Sequence, residues 1–534
     1  VTSVVTAGGI SVTVRGPAVG EGEAVLDRLV SDGVPGALAS GKANLWGPDA
    51  APLAARRLGW LGLPELARSL PARIAGIAAA LRDAGATRTV LIGTGGPALA
   101  AEAIARTAGA DLTVLDTTDP HEAARAFADA ARTAVVVTDA TAESDALRRV
   151  AEAAFRAAGV EGDDLARRFV VVADAGSPHG RAARDAGHPT VQADLDVDGR
   201  FGALAARALV PAALAGVDVG ALAENAARLS PALRQPYDNP ALAFGAALGA
   251  AVLAGRDKLV IADQGSGLAG FAGWAEQLLA GALGRDGRGV LPVVVEGTGA
   301  PGFEPTDEMR RVVLGCRPDE AGPAREAGIN VAGPLGAQFL LWQFAAAVAA
   351  RVIGVDPFAE PDDPPRDSGV DLDGHAALVS GPVEIHASEE LLGGAETLTE
   401  ALEAVLEAVP EHGYLAVLAD LDRHGDAEAA GLRPLLAARG AKVRRRPAPV
   451  TFGWATRVRH GTARYHRSGP PNGVFLQITG AVTADLPVPG RPYTLGGLQR
   501  SLAAADVRAL DGPVCRLHLT DRAAGLAHLR AALT

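Results

Sequence analysis
The chain has 534 residues, 48% of them apolar and 4% aromatic, and a formal net charge of −12. That length calls for two or three domains with large cores. The acidic balance and the lack of a long basic block exclude nucleic acid as an expected partner. Lys42, Lys258 and Lys442 are the only lysines, so arginine carries the positive charge. Cys316 and Cys515 lie far apart, offer neither a disulfide framework nor zinc spacing, and read as small buried side chains. No basic and then apolar leader opens the chain, and no run of roughly 18 apolar residues interrupts it. A soluble, cytoplasmic protein with no membrane partner is expected.

The first periodic segment, 65–87, has apolar residues at helical spacing. Arg88-Thr-Val-Leu-Ile-Gly93 follows as a short buried strand, then an alanine-rich helix from about Pro97 to Ala108. Leu112–Leu115, Ala134–Val137 and Phe169–Ala173 read as further strands, with a helix over about 143–157. A second set begins after residue 235: a helix over 240–254, the strand Lys258–Ala262, a helix over 268–283 and the strand Val290–Val295. A long apolar helix spans about 335–353, and Glu360-Pro-Asp-Asp-Pro-Pro-Arg-Asp is a linker by composition. Beyond it, Tyr414–Leu418 and Gly473–Ile478 are strands of a third unit. Strands alternating with helices of 10–15 residues argue for parallel sheets with helices on both faces. The runs 296–330 and 360–375 carry too little pattern to assign.

Ile92-Gly-Thr-Gly-Gly96 joins a strand to a helix, where glycines let backbone N–H groups approach an anion. It is not a dinucleotide fingerprint, because Ala98 replaces the third glycine. Asp371-Leu-Asp-Gly-His375 lacks the ligands of a metal loop and reads as a solvated turn. Arg444-Arg-Arg446 reads as a solvated strand edge.

Several segments carry a resemblance when taken together. Leu91-Ile-Gly-Thr-Gly-Gly-Pro-Ala98 is similar to L-x-G-M-G-G-S-S, and Leu115-Asp-Thr-Thr-Asp-Pro120 to L-D-S-T-D-P. Asp174-Ala-Gly-Ser-Pro178 is similar to D-P-G-S-P, and Asp198-Gly-Arg-Phe201 to G-G-R-Y/F. Trp274-Ala-Glu-Gln-Leu-Leu-Ala-Gly-Ala-Leu-Gly-Arg285 resembles W-x-E-Q-L-x-A-E-S-T-G-K. Gly333-Pro-Leu-Gly-Ala-Gln-Phe339 and Gly469-Pro-Pro-Asn-Gly473 follow in order. In sequence the chain thus resembles the phosphoglucose isomerase family, its actinobacterial branch and the isomerase half of transaldolase–isomerase fusions. The resemblance implies two sugar-isomerase (SIS) domains of flavodoxin-like α/β topology, with parallel sheets flanked by helices, and a C-terminal α/β region. The boundaries read as 1–230, 231–360 and 361–534. It also implies a phosphosugar ligand, no metal or other cofactor, and a homodimer.

The family interconverts glucose 6-phosphate and fructose 6-phosphate through an enediol, which needs a phosphate cradle, a carboxylate base and a cation. The cradle and the base are altered here, while the cation, Arg200, matches. Gly281 stands where the base belongs, and neither Glu276 nor Asp286 replaces it convincingly. Gly95 and Gly96, with Thr138, Thr141 and Ser144, are the substrate-binding candidates; the S-K-S-G-T-T cradle has become Thr138-Asp-Ala-Thr-Ala-Glu143. Alternatively these residues cap the next helix. Arg200 either faces the enediolate or pairs structurally with Asp198. The catalytic lysine becomes Arg467, which cannot shuttle protons near neutrality, and adjacent His466 could titrate. Gln338 takes the ring-opening position. The expected function is an impaired isomerase, a degenerate phosphosugar-binding or regulatory homologue, or an isomerase of another sugar.

Overall fold
The computed structural model describes residues 1–315, 328–360 and 375–534. The chain opens with a hairpin of β1 (Thr2–Ala7) and β2 (Ile10–Arg15), turned by Gly8-Gly9 with both φ angles positive. Five strands follow: β3 (Arg88–Ile92), β4 (Leu112–Leu115), β5 (Thr133–Val137), β6 (Phe169–Ala173) and β7 (Thr190–Gln192). They form an all-parallel sheet in the order β4-β3-β5-β6-β7. This is the flavodoxin-like order, with its switch point between β3 and β5.

The second sheet uses β8 (Lys258–Asp263), β9 (Leu291–Val295), β10 (Met309–Leu314) and β11 (Ile329–Ala332). These are parallel in the order β11-β10-β8-β9, and β2 closes the edge antiparallel to β11. The N-terminal hairpin, grouped by sequence with the first 230 residues, therefore belongs to the second sheet. Strand β10 falls in the stretch 296–330 left unassigned, and β11 starts at its end. The third sheet repeats the plan. Its hairpin is β12 (Leu378–Ser380) and β13 (Val383–His386), and its parallel strands are β14 (Tyr414–Asp420), β15 (Val450–Trp454), β16 (Gly473–Gly480) and β17 (Val514–Leu519). The order is β12-β13-β17-β16-β14-β15. Leu291, Val293 and Val260 of the second sheet share one apolar cluster with Ala416, Leu418 and Phe475 of the third, so one core joins these two sheets, whose edge strands β9 and β15 meet.

The helix Leu335–Ile353 is almost wholly buried and packs on Pro240–Leu253. Among the described helices it alone is long and apolar enough to cross a membrane, and 89% of that stretch is buried inside the protein. Gly245 and Gly249, one turn apart, let the two helices close. A Cβ at Gly245 would lie 2.7 Å from the Ala345 carbonyl oxygen, and one at Gly249 2.5 Å from Val352. Three sequence readings need correction or fall away. Arg444 ends the helix Leu432–Arg444, with Arg445 left-handed after it, rather than edging a strand; its guanidinium donates to the carbonyls of Val409 and Pro410. The 65–87 segment divides into Leu63–Leu66, a short turn, and Leu70–Asp83. The Asp371–Gly374 turn, most of the linker and Cys316 lie outside the described residues, while Cys515 is buried as expected.

Candidate functional site
The pocket that gathers five of the ten expected residues, Gly95, Gly96, Arg200, Gly281 and Arg467, lies where all three units meet. The first unit contributes Gly95 and Gly96, at the start of the helix Gly95–Ala108, and the turn Asp198–Arg200. The second contributes Gln277 and Gly281 from the helix Phe271–Leu283. The third contributes Arg459, His460, Arg464 and Arg467 from the helices Ala455–Arg459 and Ala463–Ser468. Arg57 and Glu360 complete a cavity of about 340 Å³. Gly96 is required for this closure: a Cβ there would collide with the Gly199 carbonyl, the turn that carries Arg200.

Arg200 is buried and fully committed. Its Nε and Nη2 donate to the two oxygens of Asp198 at 2.7 and 2.6 Å. Nη1 donates to the Gly281 carbonyl at 3.1 Å, and Nη2 also to the Phe358 carbonyl at 2.8 Å. Burial opposes its charge, but Asp198 more than offsets this and raises the guanidinium above its ordinary range. The structural Arg–Asp pair is thus realised, and no donor is left over for a developing oxyanion. It also accounts for Gly281: a Cβ there would meet the Arg200 Cδ at 3.0 Å and Cγ at 3.4 Å.

The turn from Thr138 to Ser144 is used internally. The carboxylate of Asp139 accepts from the Thr94 N–H and hydroxyl, both at 2.9 Å, and from the Thr141 and Ser144 hydroxyls. Thr141 also caps the helix Ala142–Ala157 by accepting from the Ser144 N–H. The capping alternative holds, and none of Thr138, Thr141 and Ser144 lines the central pocket. Thr138 instead faces an adjoining cavity of about 640 Å³ at the strand ends of the first sheet. Glu143 does not project as a free anion. It accepts from Arg459 at 3.0 Å with the His460 ring at 3.7 Å, and these contacts, that with His460 foremost, lower its carboxyl to about 2.

Two expected catalytic residues are elsewhere. His466, expected to titrate beside Arg467, is buried: its Nδ1 is 2.9 Å from the Tyr414 hydroxyl and its ring stacks on Tyr414. Burial, with Arg467 beside it, pushes the imidazole down to about 3, so it stays neutral. The helix Ala463–Ser468 turns Arg467 to the pocket and its neighbour into the core. Gln338 is fully buried on Leu335–Ile353 and accepts from the Trp342 indole at 3.0 Å. The turn of that helix carries it into the core.

Among the described residues, the carboxylates that line the pocket both lie against Arg200. Asp198 is held by Arg200, and Glu360, with its side chain 68% exposed, rests against Arg200 at 3.3 Å. Glu276 points to a separate cavity with Phe452 and Trp454, where desolvation pushes it up to about 8. Asp286 is exposed beside Arg285.

Sequence reasoning missed Arg57, Arg459, His460 and Arg464. The signal was the density of the run Arg457-Val-Arg-His-Gly-Thr-Ala-Arg-Tyr-His-Arg467. What holds this run in place is a buried network. Arg457 pairs with Glu102 at 2.7 Å and Asp116 at 2.8 Å, while Arg423 reaches Glu122 at 3.0 Å and Glu102 at 3.3 Å. Asp116, from the L-D-x-T-D-P segment, is therefore a docking residue for the third unit.

No family model matches the chain. Among curated proteins it is 38% identical over 135 residues to a probable glucose-6-phosphate isomerase of Haloarcula marismortui, covering 24% of this chain and 30% of that protein. It is 40% identical over 112 residues to the glucose-6-phosphate isomerase of Rubrobacter xylanophilus, covering 20% and 26%. The matched region thus spans under a third of either relative. In fold it is similar to a hypothetical protein of Thermus thermophilus, with a TM-score of 0.54 and 21% identity over 68% of this chain and 97% of that one. The chain is phosphoglucose-isomerase-like in sequence over about a quarter of its length.

Proposed function
We propose that this chain binds a sugar phosphate in the pocket between its three units and interconverts aldose and ketose slowly or not at all. The observation that carries this is the convergence of Gly95, Gly96, Arg200, Gly281 and Arg467 on one cavity whose carboxylates, among the described residues, both lie against Arg200. The first half, convergence, supports descent from an isomerase-type site. The second removes the group that must take the proton. Loss of a general base slows such a reaction by roughly 10²–10⁴-fold. The arginines and the backbone at Gly95, where the helix begins, remain able to hold an anion and its hydroxyls.

Titration calorimetry with glucose 6-phosphate and fructose 6-phosphate tests the binding half. Saturable heat with at least one of them is the expected result; none with either, from folded protein, rejects the reading. The homodimer implied by the resemblance is part of this proposal, and equilibrium sedimentation that returns only monomer contradicts it.

A further inference from the structure
We propose that Arg464 and Arg467, and not the hydroxyl turn 138–144, form the subsite for the ligand's anionic group. The inference rests on the pocket being a sugar-phosphate site and fixes which way round the ligand lies in it.

The turn cannot easily accept an anion. Asp139 already takes its hydroxyls and the Thr94 N–H, so a carboxylate of the chain itself fills the place an oxyanion would occupy. The adjoining cavity is lined by three more carboxylates, Asp174, Asp194 and Asp196, of which Asp174 pairs with Arg207. Two of the central pocket's guanidinium groups are also spent. Arg200 is held by Asp198, and Arg459 donates to Asp506 through Nε and Nη2 as well as to Glu143.

Arg464 and Arg467 differ. They stand three residues apart on one helix, so they share a face. Arg464 is only 8% exposed, and its Nη2 is buried without a hydrogen-bond partner; so is the Arg467 Nε. Among the described residues no carboxylate lies within ion-pair distance of either. A buried guanidinium without an acceptor is costly, and a bound oxyanion supplies one. Two forks on one face fit a compact oxyanion, the phosphate of a phosphate monoester or the carboxylate of a sugar acid. The neutral hydroxyls then extend past Gly95 toward the acidic cavity.

The test is calorimetric affinity of the full chain for inorganic phosphate, glucose 6-phosphate and gluconate, in wild type, Arg464→Gln, Arg467→Gln and Ser144→Ala. Each arginine variant is expected to weaken binding by about tenfold or more, as loss of a charged hydrogen bond does, with Ser144→Ala within about twofold of wild type. Thermal unfolding checks each variant; should Arg464→Gln not fold, the less buried Arg467 carries the comparison, with Arg467→Lys retaining part of the affinity. Tighter binding of glucose 6-phosphate than of gluconate assigns the phosphate, and the reverse assigns the sugar acid. Unchanged affinity in the arginine variants, or loss only in Ser144→Ala, overturns the subsite while leaving the sugar-phosphate reading standing. Failure of wild type to bind any of the three ligands overturns both.

Discussion

Gly281 and Arg200 have to be understood as a pair. A glycine inside a helix is ordinarily improved by alanine by about 1 kcal/mol. Here the added methyl meets an arginine whose head is fixed by Asp198, so it cannot step aside. Gly281→Ala is therefore expected to destabilise by about 1 kcal/mol in thermal unfolding. For the same reason Gly281→Glu alone should not restore a base, because the carboxylate must enter against Arg200. Asp198→Asn leaves a buried guanidinium without its counter-charge and should cost about 3–5 kcal/mol. Glu276 gives a pH signature. Its folded-state carboxyl lies near 8, well above an ordinary glutamate, so the fold holds a proton that the unfolded chain releases. Its contribution is fully present below about pH 4 and is lost as pH rises through about 8. Glu276→Gln should thus be more stable than wild type at pH 9, by roughly 1–2 kcal/mol, with the gap closing toward pH 5; an equal gap at both pH values would contradict the assignment. Of these residues, Gly281 and Arg467 were legible in the sequence because each interrupts a recognisable run. The commitment of Arg200 was not, since Phe358 and Ala359 approach it only in three dimensions.

At the scale of elements, the arginine-bearing helices Ala455–Arg459 and Ala463–Ser468 reach the pocket because the third unit is fastened to the first. Arg423 and Arg457 enter a nest of Glu102, Asp116 and Glu122, all largely removed from solvent. Replacing Arg423 by Met should cost about 3–5 kcal/mol, since the buried carboxylates remain. Amide hydrogen exchange should quicken first in 455–468, ahead of the sheets; uniform acceleration across the chain would argue against a local clamp. The parallel strands were readable because buried strands are continuous Val, Ile and Leu runs. The N-terminal hairpin was overlooked although Gly8-Gly9 between alternating β-branched residues is a hairpin signal. Its partner, β11, lies beyond residue 328, and no local pattern announces a pairing of that span.

The whole molecule is three sheets that share the strand order 2-1-3-4, the second and third each extended by a preceding hairpin. The pocket opens where their loops converge, so Arg57 and Arg200 reach it from the first unit, Gly281 from the second, and Arg459, Arg464 and Arg467 from the last. Such a site can keep its place while its chemistry changes, because the units hold one another through residues outside it. The central claim is binding without efficient turnover. Its most direct test is a coupled assay with fructose 6-phosphate, following NADPH from added glucose-6-phosphate dehydrogenase, on protein shown by calorimetry to bind sugar phosphate. A flat trace, or a rate at least about 10²-fold below an ordinary enzyme's 10 s⁻¹, is the predicted result. Turnover near 10 s⁻¹ would contradict it and require a base beyond the described pocket residues.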